Sequence, residues 1–199
     1  MHHIYLILGK SASGKDTLYR KLMEMGDLGL GTIVSYTTRP IRDGEKDGRE
    51  YHFTTVPSFL EDQEKGLVIE SRCYDTVMGP WYYYIKNDGQ IDLDRKSYLL
   101  IGTLESCLSL QKAFGPDRVV PIYVEVEDGE RLSRALSRER TMSHPRYDEL
   151  CRRFLADCGD FSEERLSAAG IQTRFDNRDL EACLLRIRDY ILSKSEGMR

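Results

Sequence analysis

Runs of apolar residues alternate with amphipathic stretches along this chain. The run Ile4–Leu8 predicts a buried strand, and Leu18, Leu22 and Met25 then recur at helical spacing. The pattern predicts strands over 4–8, 97–102, 119–126 and 172–175, and helices over 14–25, 58–65, 104–114, 129–142, 147–157 and 179–193. Strands that alternate with helices imply a mostly parallel sheet covered by helices on both faces.

The segment 37–86 interrupts this alternation. Its first part, 37–53, is polar, charged and punctuated by glycines, and it has no helical period. Residues 67–70 and 81–86 are β-like, and the short predicted helix 58–65, which precedes both, has Ser58 as its predicted cap. We therefore expect an inserted, β-rich lobe. Pro121, within the later strand 119–126, predicts an edge or an early position in that strand.

Length and charge narrow the class of protein. The 199 residues suit one compact domain with one or two insertions, and 31% charged against 40% hydrophobic residues argues against a disordered chain. A net charge of −4 makes a nucleic-acid-binding surface unexpected. A small anionic ligand in a locally basic cleft stays compatible with it, because a cleft responds to local charge.

The cysteines and apolar runs exclude other classes. Five cysteines, an odd number without CxxC spacing, predict neither a disulfide framework nor a zinc site, and they favour a cytoplasmic protein. No run approaches the ~18–20 apolar residues that a membrane helix needs. Because glycine-rich sequence follows Ile4–Leu8 at once, a buried strand explains this run better than a signal peptide.

The sequence Gly-Lys-Ser-Ala-Ser-Gly-Lys-Asp-Thr, at 9–17, follows the first predicted strand and opens a helix. GxxxxGK in this context predicts a phosphate-binding loop, because glycines let several N–H groups point at one anion and the helix N-terminus adds positive potential. Lys15 supplies a mobile point charge. The predicted ATP-binding residues of this segment are Gly9, Ser11, Ala12, Ser13, Gly14, Lys15, Asp16 and Thr17.

Asp16 departs from the motif, which has Ser or Thr after the lysine as a ligand of Mg²⁺. The aspartate can ligate magnesium directly or through water, and Thr17 can supply the hydroxyl in a shifted register. Alternatively, Asp16 is only a favourable acid in a first helical turn. We expect Mg²⁺ with ATP, with Asp16 and Thr17 as its candidate protein ligands.

The stretch 34–53 contains Ser-Tyr-Thr-Thr-Arg-Pro-Ile-Arg-Asp-Gly-Glu, followed by Gly48, Tyr51 and Phe53. Two arginines three apart, with a nearby serine and tyrosine, form a forked donor set for one phosphate. Together with the phosphate loop, this stretch closely resembles the SxTTRxxRxGExxGxxYxF signature of the guanylate kinase family. Looser similarity runs from about residue 4 to about residue 191.

The resemblance implies an α/β fold: a P-loop NTPase-type parallel sheet flanked by helices, with an inserted β-rich acceptor-binding lobe and a helical arginine lid. It implies a single domain over 1–199. The core would take about 1–34, 97–130 and 158–199, the acceptor-binding lobe about 35–90, and the lid about 131–157.

The resemblance also assigns acceptor-binding residues. Ser35, Arg39, Arg42 and Tyr51 match ligands of the acceptor phosphate, and Glu45 belongs to the same signature. Glu70 matches the carboxylate that reads guanine, and Tyr82 stands where the family has a second phosphate-binding tyrosine. Here, however, the family's YYG reads Tyr-Tyr-Tyr, and about three extra residues precede it.

A further departure lies on the predicted strand 97–102. Ile101 and Thr103 stand where the family usually carries aspartates that contact guanine or organise magnesium. Asp16 can compensate for a missing carboxylate, and Thr103 or Glu105 can offer another oxygen to the base. Binding of the acceptor phosphate is therefore predicted more firmly than the identity of the base.

Residues 131–153 carry seven arginines against three carboxylates, a balance of +4. Arg134 and Arg138 share a helical face and resemble the family's RxxxR lid, and Arg153, with Arg152 close behind, resembles its further arginine. Such arginines stabilise the charge of a phosphoryl group in transfer. Asn177 resembles the family's asparagine near adenine, or it caps the last helix.

The sequence thus predicts transfer of a phosphoryl group from ATP to GMP, with Lys15, Arg39, Arg134, Arg138 and Arg153 as catalytic residues. ATP and GMP are the expected partners, without nucleic acid or membrane, and the chain can be a monomer or a homodimer. Two alternatives keep the fold: an enzyme that acts on another nucleoside monophosphate or a sugar phosphate, and an inactive guanylate-kinase-like binding module.

Overall fold

Two β-sheets and seven helices make up the fold in a computed structural model, which describes residues 1–76 and 79–196. The strands are β1 (Ile4–Leu8), β2 (Gly31–Thr32), β3 (Tyr36–Thr37), β4 (His52–Phe53), β5 (Val68–Thr76), β6 (Gly79–Lys86), β7 (Tyr98–Ile101), β8 (Val119–Glu125) and β9 (Arg174–Asp176). The helices are α1 (Lys15–Glu24), α2 (Val56–Glu64), α3 (Leu104–Phe114), α4 (Asp128–Arg140), α5 (Tyr147–Asp160), α6 (Glu163–Ala168) and α7 (Leu180–Glu196).

The larger sheet has the order β2-β7-β1-β8-β9, and all of its pairings are parallel. β1 lies at its centre, and each of its five side chains is fully buried. Burial of such a side chain contributes about 1.5–3 kcal/mol, so this short strand anchors the sheet. The predicted α/β fold with a parallel sheet between helices is confirmed.

Successive residues of β1 supply two separate cores, because side chains of a strand alternate between faces. Ile4, Leu6 and Leu8 pack with residues of α3 and α6, including Leu110 and Leu166. On the other face, Tyr5 and Ile7 pack with residues of α1 and α7. The helices therefore hold the sheet from both sides, and the loop that follows β1 emerges at its carboxyl edge.

The smaller sheet has the order β4-β3-β6-β5 and lies within the stretch that interrupts the alternation. β5 and β6 form an antiparallel pair, and its register shifts between Val68 and Glu70. This β-rich insertion agrees with the sequence pattern. Residues 77 and 78, within the predicted lobe, and 197–199, at the end of the predicted core, lie outside the described residues.

Local details differ from the sequence prediction. α2 begins at Val56, not at Ser58, and Thr55 is its cap, whose hydroxyl accepts from the Ser58 N–H at 3.3 Å. Pro57 lies in the first turn, where its missing N–H carries no cost. The short helix α6 was not predicted, because six residues are too few for a clear helical period.

Pro121 lies in β8, which is an inner strand of the larger sheet. Its segment nevertheless has a neighbour on one side only, because β9 starts opposite Tyr123. The predicted edge position therefore holds locally, although not for the strand as a whole.

Two chemical expectations can be compared with the structure. All five cysteines are free thiols, two of them buried. Within residues 1–76 and 79–196, no helix combines the length and the apolar character needed to cross a bilayer.

Candidate active site

The loop between β1 and α1 has the backbone of an anion cradle. Gly9 and Gly14 have φ of +151° and +88°, and Ala12 has φ of +61°, which is uncommon for a residue with a Cβ atom. At Gly9, a Cβ atom would lie 2.5 Å from the Val124 carbonyl oxygen, so a side chain there would displace backbone. The sequence pattern therefore encodes this loop locally, through residues that permit its φ angles and its close contacts.

Asn177 supports the loop from below. Its side chain is buried, and its Nδ2 donates to the Ser13 carbonyl at 2.7 Å. A Cβ atom on Gly14 would come within 2.4 Å of the same Nδ2. The alternative role of Asn177 as cap of the last helix is wrong, because the Asp179 carboxylate accepts from the Ala182 N–H at α7.

Lys15 is the first residue of α1 and lies within a mixed set of charges. Burial lowers the pKa of Lys15, and the cations of Arg153 and Arg138 add to this effect, whereas the carboxylates of Asp16 and Asp157 oppose it. An incoming phosphate would restore the charge balance around this ammonium group. Residues of the predicted phosphate loop and of the predicted lid thus lie close together around the Lys15 ammonium group.

A salt-bridged cluster connects the loop to α4 and α5. Arg131, fully buried, donates to the Ser11 carbonyl at 3.0 Å and to Asp128 at 2.7 Å, and its Nη1 lies 3.5 Å from Asp157. The Asp157 carboxylate also accepts from the Ser11 backbone N–H at 2.7 Å. The carboxylate of Asp157, in the predicted lid, therefore accepts from a backbone N–H of the predicted phosphate loop. An anionic ligand in the loop would accept from the same N–H group.

Of the predicted lid arginines, two are near the loop and one is tied to Asn177. Arg153 donates to the Ser11 hydroxyl at 3.3 Å, and Arg138 is exposed yet close enough to influence Lys15. Arg134 donates to Glu130 and to the Asn177 carbonyl. Arg152, the alternative to Arg153, is paired with Glu149 at 2.7 Å.

Asp16 and Thr17 lie on the first turn of α1, the former exposed and the latter half-buried. Their carboxylate and hydroxyl oxygens are ligands that magnesium accepts. Among the described residues, no group of three or more His, Cys, Asp or Glu side chains can hold a metal ion. The two oxygens of Asp16 and Thr17 fit a cation whose remaining ligands are phosphate oxygens and waters.

Arg39 organises the loop 38–51 between β3 and β4, which the sequence predicts to bind the acceptor phosphate and which is termed the acceptor loop. Its guanidinium is buried, and it donates to both oxygens of Glu45, at 2.8 and 2.6 Å, and to the Pro40 carbonyl. The hydrogen bonds from Arg39 lower the pKa of Glu45 to about 2. Of the five N–H donors of a guanidinium, three are used by Glu45 and Pro40. Hydrogen bonds with Glu45 and with the Tyr83 side chain raise the pKa of Arg39.

Tyr51 and Phe53 flank this guanidinium, with ring centroids 5.1 and 5.3 Å from the Arg39 Cζ. Arg42 is exposed, and its backbone N–H donates to Glu45. Ser35 is half-buried, and its carbonyl accepts from the His52 N–H at 2.9 Å. The predicted phosphate ligands thus belong to one loop and the adjoining strands.

The tyrosines of β6 divide between its two faces. Tyr82 stacks on Phe59 of α2, with 4.2 Å between centroids, whereas Tyr83 lies 5.6 Å from Tyr51. Strand alternation puts these neighbours on opposite faces. The face of the smaller sheet that carries Tyr51 therefore presents Tyr83. The sequence prediction named Tyr82, because the run Tyr-Tyr-Tyr does not indicate which of its residues faces Tyr51.

Glu70 is buried at the boundary between the smaller sheet and α3, and its Oε1 accepts from the Ser106 hydroxyl at 2.9 Å. Thr103 and Ser106 form a reciprocal capping box at the start of α3. The hydroxyl of Thr103 is thereby used in the cap, and Glu105 is paired with Arg165. The side chains of Thr103 and Glu105 nevertheless line a cavity of about 300 Å³, together with Lys15, Tyr74 and Arg153.

Sequence reasoning missed Asp157, Asp128, Tyr83 and Ser106, and it counted Arg131 only as part of a basic segment. Arg131 belongs to the arginine-rich helix α4, but no pattern distinguishes a buried arginine from exposed ones. Asp157 carried no motif at all. Its contact with Ser11 depends on tertiary packing across more than a hundred residues.

Comparisons with known proteins agree with this geometry. Residues 1–96 match the family model for guanylate kinase. The guanylate kinase of Paraburkholderia xenovorans is 41% identical over 69 residues, covering 35% of this chain and 30% of that protein. The guanylate kinase of Dechloromonas aromatica is 28% identical over 179 residues, covering 86% of this chain and 75% of that protein.

The match with the first of these relatives, and with the guanylate kinase of Cupriavidus pinatubonensis, spans about a third of the relative's length. Among solved structures, guanylate kinase from Anaplasma phagocytophilum has a TM-score of 0.67 at 22% identity, covering 100% of this chain and 87% of that one. At this identity, the structural likeness shows the fold.

Proposed function

We propose that the chain is a member of the guanylate kinase family and a phosphotransferase that moves the γ-phosphoryl group of ATP to GMP, giving ADP and GDP; the family match over residues 1–96 and the similarity along most of the chain support this. One observation carries this proposal. Lys15 at the phosphate loop shares a cavity with Arg153 of α5, in the predicted lid, and with Tyr74 of β5, in the smaller sheet. Donor-binding, lid and acceptor-binding elements are thus in reach of one small volume.

The roles follow from charge and geometry. Lys15 and the loop N–H groups hold the donor phosphates. Arg39, Arg42, Tyr51 and Ser35 hold the acceptor phosphate, which is itself the nucleophile and is already ionised, so that no general base is required.

Arg134, Arg138 and Arg153 neutralise the group in transfer, because its charge spreads over three oxygens in the transition state. Asp16 and Thr17 are the residues that would hold magnesium, which neutralises phosphate charge when it is bound with ATP. Lid closure excludes water and suppresses hydrolysis of ATP.

A second candidate keeps the fold and changes the acceptor to a sugar phosphate. Ile101 and Thr103, in place of the family's aspartates, favour it, as does Asp16 after the lysine. A binding module without catalysis is the third candidate, and the complete set of Lys15 and lid arginines argues against it.

A coupled assay that follows ADP formation tests all three, with ATP and a panel of GMP, IMP, AMP, UMP and ribose 5-phosphate. Turnover with GMP at the highest kcat/KM supports the proposal. Turnover with the sugar phosphate alone moves the acceptor to the second candidate. ATP binding without turnover of any acceptor would identify a binding module and overturn the proposal.

A further inference from the structure

An ion pair on β5 stands beside the proposed acceptor site. The side chain of Glu70 is 3% exposed, and its Oε1 lies 2.9 Å from the Nε of Arg72. The same Oε1 accepts the Ser106 hydroxyl hydrogen bond. One carboxylate oxygen is thus held from two sides.

Two buried polar atoms of this pair lack a hydrogen bond. Glu70 Oε2 has no partner, and Arg72 Nε, although it is near Oε1, is not aligned for a hydrogen bond with it. Buried polar atoms in native proteins nearly always have a hydrogen-bond partner, because a buried donor or acceptor without one is costly. An acceptor atom and a donor group side by side therefore point to a ligand that supplies the complementary pair.

Arg72 is placed to reach such a ligand. A third of its side chain is exposed, and it lies opposite Tyr83 in the β5–β6 register. Burial raises the pKa of Tyr51, and the nearby cations of Arg39 and Arg72 oppose that shift. Arg72 therefore lies between the buried Glu70 carboxylate and the loop proposed to hold the acceptor phosphate.

The complementary ligand edge has an N–H beside a carbonyl, which is the edge of a cyclic amide. Guanine and hypoxanthine present N1–H next to O6. Adenine presents a bare N1 next to an amino group, so the same orientation sets a lone pair against the Glu70 carboxylate and N–H groups against the Arg72 guanidinium. This arrangement selects a 6-oxopurine against adenine.

The pair also limits what Glu70 can read. Oε1 already accepts from the Ser106 hydroxyl and faces the Arg72 Nε at 2.9 Å, whereas Oε2 has no partner. Oε2 is therefore the oxygen available to N1–H, and the groups around Oε1 crowd the approach of a 2-amino group. The 2-amino group then contributes little, and hypoxanthine is accepted beside guanine.

We propose that Arg72 is a specificity-determining residue that donates to the O6 carbonyl of a 6-oxopurine nucleoside monophosphate whose N1–H is accepted by Glu70. This rests on the proposed function, because a purine monophosphate must occupy the acceptor site. The acceptor class becomes GMP and IMP, with AMP excluded.

Equilibrium binding of GMP, IMP, AMP and 6-thio-GMP tests this assignment. 6-thio-GMP keeps N1–H and the amino group and weakens only the acceptor at position 6. We expect the unsubstituted chain to bind GMP and IMP within about tenfold of each other, and 6-thio-GMP and AMP at least about tenfold more weakly than GMP.

Arg72→Ala should lose affinity for GMP about tenfold or more and shrink the ratio of GMP to 6-thio-GMP affinity at least about fivefold. Arg72→Lys, which keeps the charge beside Glu70 but not the planar fork, should keep the fold and shrink the same ratio. Arg95→Ala, at an exposed arginine 85% accessible and away from the site, is the matched control and should leave the ratio unchanged.

An unchanged ratio in both Arg72 variants overturns the inference. Tighter GMP binding by Arg72→Ala also overturns it, because Arg72 would then obstruct the base. Binding of GMP by the unsubstituted chain without turnover would sink the phosphotransferase proposal alone, since the ratio is measured by binding.

Discussion

The phosphate loop and the acceptor loop both offer positive charge to an anion, but they balance it in different ways. At the phosphate loop, the countercharge comes from the lid: Asp157 accepts from the Ser11 N–H, and Asp128 holds Arg131. At the acceptor loop, Glu45 lies six residues from Arg39 and pairs with it directly. The charge at the phosphate loop is therefore balanced by residues of α4 and α5, which are distant in sequence. The charge at the acceptor loop is balanced by a residue of the same loop.

This difference has a functional meaning. A phosphate that binds this loop as proposed has to compete with the Asp157 carboxylate for the Ser11 N–H, so its binding and the position of α5 would depend on each other. A phosphate that enters the acceptor loop meets an arginine held in place by its own neighbour. Preorganisation of this kind reduces the cost of binding.

The largest expected effect comes from Lys15→Met. Removal of the Lys15 ammonium group should lower kcat by about a hundredfold or more, because the charge of the phosphoryl group in transfer loses a direct partner. The coupled ADP assay measures this loss. Lys21→Met, at a lysine paired with Glu181 on the other side of α1, is the control. Comparable losses in both variants would contradict the assigned role.

Arg39→Ala tests whether the acceptor loop is self-contained. The KM for the acceptor should rise about ten- to a hundredfold while the KM for ATP changes less than about twofold, because the contacts of Arg39 lie in its own loop and the smaller sheet, away from the phosphate loop. Arg49→Ala, at an exposed arginine of the same loop, should leave both within about twofold. Equal increases in the two KM values for Arg39→Ala would show that the sites are not separate.

Asp157→Asn tests the coupling on the donor side. Removal of a negative charge beside the loop should raise the affinity for pyrophosphate or ADP about three- to tenfold, measured by calorimetry. Asp160→Asn, one turn later on α5 and paired with Arg165, is the matched control. Weaker binding in Asp157→Asn alone would mean that this carboxylate supports the loop rather than competing for it.

The smallest effect concerns acid stability of the acceptor loop. The pKa of Glu45 in the folded chain is about 2, below the ordinary value of 4.5, so its pair with Arg39 stabilises above pH 4.5 and is lost as pH falls towards 2. The melting temperature of the unsubstituted chain should therefore fall more steeply over this window than that of Glu45→Gln. Parallel curves would exclude a contribution from the pair.

The two loops also differ in how well sequence predicted them. The phosphate loop is fixed by local backbone requirements at Gly9 and Gly14, so its position and neighbouring elements were predicted correctly. In the smaller sheet, strand register decides whether Tyr82 or Tyr83 faces Tyr51. The register shift between Val68 and Glu70 has no signal in the sequence. The Arg131–Asp157 contact depends on how α4 and α5 pack, which no local pattern specifies.

The central position of β1 has a consequence for biosynthesis. Its partners are β7 and β8, and β8 ends at Glu125. More than a hundred further residues must therefore be synthesised before the apolar segment Ile4–Leu8 can pair on both sides. At ~5–20 residues per second, the delay is on the order of ten seconds. During this time the nascent chain exposes a short apolar strand former of the type that promotes aggregation. The central position that buries this strand fully in the folded protein thus leaves it unpaired and prone to aggregation during synthesis.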